Sequence, residues 1–437
     1  MAVVVQWLER TVVVRETRVR FSPSAYKRNM NFEPTTVKGF QDFFPPESQK
    51  RTAVKKVIEK YFRLYGFQPV ETPTIEFDEL MRSDNLKNKD EAVSERFKLR
   101  DRGGRNLGLR YEFTFQLARL LKENPNIKLP FRKYQIGQVF RDEPTSSSRF
   151  REFTQCDIDI IGESSQESEA ECLACFSDIL KKLKIKPDIQ VNNRKLLYSI
   201  IESVKIADPG RVIRELDKLD KLDEDTIKAN LRKIADTNQI LTLFKLMEKP
   251  LEFFVKNLFD GAEEIMKLQK AGKGYGFKIT FNPFLARGLS YYTGNIFEIR
   301  VQGQKNSVAG GGRYDKLVGK FLGREIPATG ISFGLERLSS LATVKIPKTK
   351  VILISLNQDK LTIDLAKKLR KQKTSCIIFF GKPGKALDYA NSLKIKYAIF
   401  IGEEEVKNKK FKLKDLESGE EKLLSEKQTI NKLKSRN

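Results

Sequence analysis

Histidine is absent from all 437 residues of this chain. The absence excludes a Ser-His-Asp or Cys-His catalytic set, a histidine-bearing zinc site and an imidazole acting as general acid or base. Any chemistry must therefore use arginine, lysine, carboxylate, hydroxyl and amide groups, with a metal ion only if the substrate brings one.

Cysteines and long apolar segments are also scarce. Four cysteines in a chain of this length do not make a disulfide framework, which favours a reducing, cytoplasmic location. Cys172 and Cys175 form one C-x-x-C in a helical pattern, and without further ligands they are interpreted as buried structural residues rather than a metal or redox site. No apolar run reaches the roughly 18–20 residues of a membrane span, so no membrane partner is expected.

Positive charge, by contrast, is abundant. Lysine and arginine number 82 against 57 acidic residues, a formal net charge of +25. Residues 348–437 alone hold 22 basic and 11 acidic side chains. A surplus of this size indicates a polyanionic partner, with nucleic acid as the first candidate, although a lysine-rich surface can also serve solubility.

The hydrophobic pattern predicts a mixed α and β chain. From Glu47 onward, apolar residues recur at helical spacing, which predicts a helix. From Phe153 to Ile161 apolar and polar residues alternate, which is typical of a strand. Residues 195–275 have the pattern of helices, without polar residues that suggest a site. Beyond Pro347, short strands alternate with helical patterns, which predicts a small, largely parallel sheet.

Arginines recur in segments that carry glycine, aromatic and acidic residues. The segments are Phe140–Glu143, Arg149–Phe153, Arg287–Gly294, Ala309–Asp315 and Gly334–Arg337. Two strands joined by the loop around Arg149 would place Arg141 and Arg149 over one sheet face. Because the guanidinium group offers a rigid fork of donors that matches phosphate, this pattern predicts a triphosphate site. The glycine run 310–312 taken alone is more typical of a turn.

These segments resemble the motifs of class II aminoacyl-tRNA synthetases, and specifically those of the histidyl-tRNA synthetase family. Lys38–Phe43 with the following helix resembles motif 1, Phe140–Gly162 motif 2 and Gly330–Leu338 motif 3. Leu285–Gly294 and Ala309–Asp315 resemble the two histidine-specific signatures, which are the discriminating ones. The resemblance extends from Asn31 to the end of the chain.

The resemblance implies an α+β catalytic domain, an antiparallel sheet flanked by helices, with a helical insertion and a C-terminal α/β anticodon-binding domain. Five segments are expected. They are an N-terminal extension (1–29), the first part of the catalytic domain (30–194), the helical insertion (195–277), the second part of the catalytic domain (278–345) and the anticodon-binding domain (348–437). The extension is interpreted as a misread upstream start with Met30 as the first residue, a transit peptide or tRNA-contacting arm being the alternatives.

The resemblance also implies how ATP is bound. Arg141 is expected to bind the α-phosphate, Glu143 to read the adenine amino group, and Arg149 and Arg337 to hold the β- and γ-phosphates. Arg287 occupies the position of the family's catalytic arginine, opposite Arg141, so these two are the expected catalytic residues. Mg²⁺ is expected to bind through the ATP phosphates, with no metal site made by protein residues alone.

The expected amino-acid site is carried over in the same way. Positions that match the family's histidine-binding residues are Glu112, Thr114, Gln155, Asp159, Arg287, Tyr291, Tyr292 and Tyr314. Glu112 and Thr114 are expected to hold the substrate amino group, and Asp159 to face the imidazole. Tyr111 departs from the proline that the family usually has there.

The implied activity is ATP-dependent ligation of L-histidine to tRNA(His) through a histidyl-adenylate, releasing AMP and diphosphate, by a homodimer. A silent paralogue that senses a ligand and an accessory protein that only binds RNA are the alternatives. Retention of the arginines and of the C-terminal segment favours the ligase. The missing histidines fit an enzyme that must be translated while histidine is scarce, with a general compositional bias as the rival explanation.

Overall fold

The computed structural model describes residues 33–81, 95–146, 149–304 and 306–434. The expectations for residues 1–29 lie outside these ranges. The helices are α1 Glu47–Leu64, α2 Phe115–Glu123, α3 Gln166–Lys182, α4 Arg194–Ser203, α5 Pro209–Leu216, α6 Glu224–Leu231, α7 Thr237–Met247, α8 Leu251–Lys256, α9 Ala262–Gly274, α10 Leu335–Leu341, α11 Asp359–Lys371, α12 Pro383–Ser392, α13 Glu403–Lys407 and α14 Glu426–Leu433. Within the described ranges, no helix has the length and apolar character needed to cross a bilayer.

The strands fall into three sheets. They are β1 Gln68–Pro69, β2 Ile75–Phe77, β3 Lys98–Arg100, β4 Asn106–Leu109, β5 Phe131–Phe140, β6 Glu152–Ile161, β7 Pro187–Asn193, β8 Ile279–Phe281, β9 Asn295–Val301, β10 Ala309–Arg313, β11 Ala328–Gly334, β12 Val351–Ser355, β13 Cys376–Phe380, β14 Tyr397–Ile401, β15 Lys410–Asp415 and β16 Glu421–Ser425. An eight-stranded sheet has the order β1-β5-β6-β11-β10-β9-β7-β8, and its six central strands are antiparallel. The α+β fold expected from the sequence is confirmed, and the glycine run is strand β10 rather than a turn.

One face of the large sheet packs against helices and forms the main core. Ile158 and Ile160, the apolar positions of the alternating strand β6, are fully buried there. The rings of Phe176 on α3 and Phe333 on β11 stack with centroids 3.8 Å apart. Burial of an isoleucine stabilises a fold by about 1.5–3 kcal/mol, so the alternation fixes which face of β6 turns inward. Cys172 and Cys175 are free thiols buried in α3, which confirms their predicted burial.

The other face carries polar residues in rows that cross several strands. Asp159 on β6 lies opposite Lys133 on β5 and Gly330 on β11. Asp157 lies opposite Gln135 and Ser332 in the next row. Since directly opposite residues share a face, the register gathers on a single surface the polar side chains that alternate along the sequence. This surface is the floor of the site described below.

The helical insertion leaves the large sheet after β7 and returns to it at β8. It comprises α4 to α9, as the pattern of residues 195–275 predicts. Its base is held by Asn193, whose side chain accepts from the Lys195 backbone N–H at 2.9 Å and thereby caps α4. The side-chain amide of Asn193 donates to Glu264 on α9 at 2.7 Å, so both ends of the insertion are joined.

The C-terminal sheet has the order β13-β12-β14-β15-β16 and a core of its own. Only the first three strands are parallel, whereas β15 and β16 are antiparallel, so the expectation of a largely parallel sheet was incomplete. Lysines alternate with the buried Phe411 and Leu413 along β15, which is typical of a strand but does not indicate the direction in which it pairs. Leu353 packs towards α11 and Ile354 towards α12, so helices cover both faces of β12.

Candidate active site

Two adjoining cavities open on the polar face of the large sheet. A wide cleft of about 800 Å³ runs between the sheet and the insertion. A narrow pocket of about 50 Å³ lies over β6, β10 and β11. Arg141 and Arg287 line both cavities and therefore lie at their junction. The loop between β5 and β6 does bring Arg141 and Arg149 to one cavity, as the sequence predicts.

The floor of the narrow pocket is acidic. Gln155, Asp157 and Asp159, the polar positions of strand β6, all line it. Asp159 pairs with the fully buried Lys133 at 2.6 Å and accepts a hydrogen bond from the Tyr314 hydroxyl. Asp157 accepts from the hydroxyl of Ser332, its neighbour in the sheet register. Asp157 and Lys133 are absent from the expected site set, although the alternation along β6 includes Asp157.

Glu112 closes the pocket from the segment before α2. Its carboxylate accepts a hydrogen bond from the Tyr291 hydroxyl at 2.9 Å, and Thr114 lines the pocket beside it. Burial raises the pKa of Glu112 to about 7, with Asp159 adding to the shift. Burial likewise raises the pKa of Asp157 to about 8. Ionised carboxylates are disfavoured in such a site until a cation pairs with them.

Three tyrosines form the wall opposite these carboxylates. The Tyr291 ring packs against that of Tyr292 at 4.7 Å and against that of Tyr314 at 5.8 Å between centroids. All three line the pocket with Gln155, Thr114 and the acids, so the structure gathers the expected histidine-binding set around one cavity. A polar floor and an aromatic wall suit a flat ligand that carries hydrogen-bonding nitrogen atoms.

Arg141 is held between two aromatic rings at the junction of the cavities. Its guanidinium carbon lies 4.3 Å from the ring centroid of Tyr111 and 5.1 Å from that of Phe153. Tyr111, the departure from the usual proline, thus forms one side of this support and lines the cleft. The buried Nε atoms of Arg141 and Arg287 have no hydrogen-bond partner among the described residues. Unpaired buried donors are costly, so their arrangement favours an anionic ligand that satisfies them.

The remaining ATP-site candidates are engaged within the protein. Arg149 forms an ion pair with Glu143, so these two groups contact one another in this structure. Arg337 is not among the residues that line either cavity, and its Nη1 donates to the Ser307 carbonyl at 3.1 Å. It is nevertheless close enough to Arg149 and Arg141 for their charges, together with burial, to lower the pKa of Arg337.

The insertion contributes one wall of the wide cleft, contrary to the expectation that it carries no site-like polar residues. The wall consists of Arg211, Arg214, Glu215, Asp217, Lys218 and Lys221. These residues lie on α5 and the turn after it, about 70 positions before Arg287 in the sequence. A local pattern could not connect segments so distant along the chain, which is why the wall was missed.

An antiparallel sheet whose polar face carries arginines beside an acidic pocket, followed by an α/β domain, is the arrangement of a class II aminoacyl-tRNA synthetase. Comparison with known proteins agrees with that class. The family described as histidyl-tRNA synthetase matches residues 39–338, and the family described as anticodon binding domain matches residues 350–436. The chain belongs to the histidyl-tRNA synthetase family.

Relatives match along nearly the whole chain. A histidine–tRNA ligase 1 of Bacillus cereus is 38% identical over 89% of this chain and 94% of its own length. The histidine–tRNA ligase of Finegoldia magna is 33% identical over 92% of this chain and 100% of its own. The crystal structure of histidyl-tRNA synthetase from Nostoc sp. covers 94% of this chain and 100% of its own, with a TM-score of 0.79 and 27% identity.

Proposed function

We propose that this chain ligates L-histidine to tRNA(His), forming a histidyl-adenylate from ATP and releasing diphosphate and AMP. The observation that carries the proposal is the meeting of the two cavities at Arg141 and Arg287. An amino acid in the narrow pocket and a nucleotide in the wide cleft would place carboxylate and α-phosphate between the same two guanidinium groups. The family and the ligase names of its relatives agree with this activity.

Binding of histidine is assigned to the narrow pocket. Glu112 and Thr114 take the substrate ammonium group, because Glu112 is a buried carboxylate at the pocket wall. Asp159 and Tyr314 face the imidazole, with Lys133 holding Asp159 in place. The remaining contacts are assigned to Gln155, Tyr291 and Tyr292. A ligand that lacks ring nitrogens would leave these buried polar groups unpaired, which supplies selectivity.

ATP is assigned to the wide cleft. Arg141 and Arg287 hold the α-phosphate, and Arg149 and Arg337 hold the β- and γ-phosphates. Glu143 reads the adenine amino group, which requires the Arg149–Glu143 ion pair to open when ATP binds. The carboxylate of histidine is already an anion and attacks phosphorus directly, so no general base is needed. The arginines stabilise the negative charge that accumulates in the transition state, and positioning supplies much of the remaining acceleration.

Mg²⁺ would enter with the phosphates of ATP and offset part of their charge. Among the described residues, no group of three or more carboxylates or thiols is placed to hold a metal ion. Glu298 is the cleft carboxylate nearest to Arg287, but its two oxygens already pair with Arg287 and Arg300. The protein would therefore contribute few ligands to the ion, and the phosphates of ATP most of them.

The C-terminal domain is assigned to tRNA binding. It belongs to the anticodon-binding family, and residues 348–437 hold 11 more basic than acidic side chains. This surplus is suited to the phosphates of an RNA stem and loop. Substitutions in the catalytic domain should then abolish exchange activity while tRNA binding is retained.

A homodimer is proposed from the apolar residues that strand β2, which follows the motif 1 segment in the chain, leaves exposed. On β2, Ile75 and Phe77 are 48% and 52% exposed while Glu76 between them is buried. This pattern is the reverse of an ordinary surface strand, and it indicates that another chain covers the outer face. Phe77→Asp is expected to give monomers in sedimentation analysis, whereas Leu423→Asp, a similarly exposed site on β16, is expected to leave the assembly intact.

The direct test of activity is ATP–diphosphate exchange that depends on histidine. The wild-type chain is expected to show exchange with histidine and little with other amino acids. Arg287→Ala is expected to lower kcat/KM by at least about 100-fold, as removal of a charge-stabilising donor does. Full exchange by Arg287→Ala would contradict the catalytic role, and tRNA binding without any exchange would support an RNA-binding accessory protein instead.

A further inference from the structure

The loop that bears Arg287 is held on two sides. On the sheet side, Nη1 of Arg287 pairs with Glu298 on β9 at 3.0 Å. The guanidinium group lies against Gly310 of β10, where an added Cβ would come within 2.1 Å of Nη1. These contacts fix the end of the side chain but leave the main chain of the loop to be held from elsewhere.

The helical insertion holds the main chain of the same loop. Arg194, the first residue of α4, donates from Nη1 to the Arg287 carbonyl at 3.2 Å. Asp217, in the turn after α5, places Oδ2 against Gly288, where an added Cβ would lie only 2.7 Å away. Approach this close is possible only because residue 288 is glycine.

Asp217 also acts on Arg287 through its charge. Burial lowers the pKa of Arg287, but Tyr292, then Glu298 and then the Asp217 carboxylate raise it, and the net shift is upward. Glu298 comes from the sheet and Asp217 from the insertion, so the arginine lies in the field of two carboxylates on separate parts of the fold. Loss of one would change both the orientation of the guanidinium group and the path of its loop.

We propose that Asp217 is a positioning residue for Arg287, through which the helical insertion sets the geometry of adenylate formation. This inference rests on the proposed function, since it assigns to Arg287 a role at the α-phosphate. It gives the insertion a part in the first, tRNA-independent step of the reaction. Asp217 lies at the edge of the cleft and against Gly288, the residue after Arg287, so the inference assigns its effect to the placement of that arginine.

The test is the rate of histidine-dependent exchange per active site. The concentration of active sites is measured by titration of the adenylate burst. Asp217→Asn keeps the shape and removes the charge, and it is expected to lower kcat about tenfold while the KM for histidine changes less than about twofold. Gly288→Ala retains Asp217 but forces its carboxylate away, and the same direction of change is expected. Asp225→Asn removes an exposed carboxylate on α6, outside the cleft, and is expected to leave both parameters unchanged.

A double-mutant cycle separates positioning from a merely structural role. Asp217→Asn is expected to have little further effect in an Arg287→Lys background, because the residue acts only through the arginine. Effects that multiply independently, or a wild-type kcat in both Asp217→Asn and Gly288→Ala, would overturn the inference. Full exchange by Arg287→Lys alone would instead count against the proposed role of Arg287, so the two failures are distinguishable.

Discussion

Three buried carboxyl groups determine the electrostatics of the candidate histidine pocket. Glu112, Asp157 and Asp159 lie together, yet only Asp159 is paired with a lysine, at 2.6 Å from Lys133. Arg141 and Arg287 also line the pocket, but burial still raises the pKa of Glu112 and of Asp157, so an imbalance between buried carboxyl groups and the cations that pair with them remains. A ligand that brings a positive charge relieves this imbalance, and the ammonium group of an amino acid does so beside Glu112.

The pH dependence of histidine use should report on Glu112. Burial raises its pKa to about 7 in the empty pocket, so the carboxylate gains a proton as pH falls through that value. A protonated Glu112 cannot pair with ammonium, and kcat/KM for histidine should therefore fall by up to about tenfold per pH unit below pH 7. Exchange rates at limiting histidine between about pH 5.5 and 8.5 provide the measurement.

The control is Glu112→Gln, which retains the shape of the side chain. The imidazole of the substrate also titrates near this pH, and its contribution remains in the variant. Glu112→Gln should have a lower kcat/KM at pH 8 and a flatter profile below pH 7. An unchanged acid limb in this variant would assign the pH dependence to the substrate alone.

Glu169 is predicted to stabilise the fold through a buried ion pair. It is fully buried, pairs with Arg313 and accepts from the Asn295 amide at 2.6 Å. Glu169→Ala removes the closest carboxylate of the buried Arg313 guanidinium and leaves it the longer contact with Asp315 at 3.3 Å, which should lower the free energy of unfolding by about 3–5 kcal/mol. Urea unfolding gives the measurement. Glu224→Ala, at a surface pair with Lys228, should cost under about 1 kcal/mol, and similar losses in both variants would contradict the argument.

At the scale of elements, the sequence predicted strands better than it predicted contacts between distant segments. The alternation along β6 gave its bounds to within one residue and placed Gln155 and Asp159 on one face. The glycine run gave no such signal, because residues without side chains have no hydrophobic pattern. Its strand form follows from pairing with β9 and β11, which supply the ladder that the local sequence does not indicate.

The absence of a side chain at Gly310 on β10 makes room for the guanidinium group of Arg287. A Cβ at residue 310 would lie 2.1 Å from Nη1 of Arg287. Gly310→Ala should therefore displace the guanidinium group and lower kcat of exchange about 100-fold, the usual effect of a shift of about 1 Å. Far-UV circular dichroism and the unfolding midpoint should change little.

Gly334→Ala provides the matched control at the end of the neighbouring strand. No atom lies within 4 Å of a Cβ built there, so exchange should remain within about twofold of wild type. Normal exchange in Gly310→Ala would mean that Arg287 acts from another position. Equal loss in both variants would indicate a general disturbance of β10 and β11 rather than a local clash.

At the scale of the whole molecule, two separate cores underlie two separate tasks. The main core draws only on residues up to 344, and the two clusters around β12 draw only on residues from 351 onward. Pro347 and its flanking lysines, interpreted from the sequence as a linker, lie between the last residue of the main core and the first residue of the other two clusters. The sequence could not reveal that the insertion contacts the loop that bears Arg287, because that contact depends on how α4 and α5 fold over the sheet.

Separate cores and unequal charge predict that salt should affect the two steps of the reaction differently. Exchange uses ATP and histidine in a largely buried site, whereas charging also requires RNA, and the C-terminal residues 348–437 contain 22 basic side chains. Binding of RNA releases counterions, so kcat/KM for tRNA should fall steeply with salt, while that for histidine in exchange changes little.

A chain ending at residue 346 should retain exchange and lose tRNA charging, measured by radiolabelled histidine on tRNA. Equal salt slopes for the two steps, or full charging by the shortened chain, would place the essential RNA contacts in the catalytic domain and its insertion.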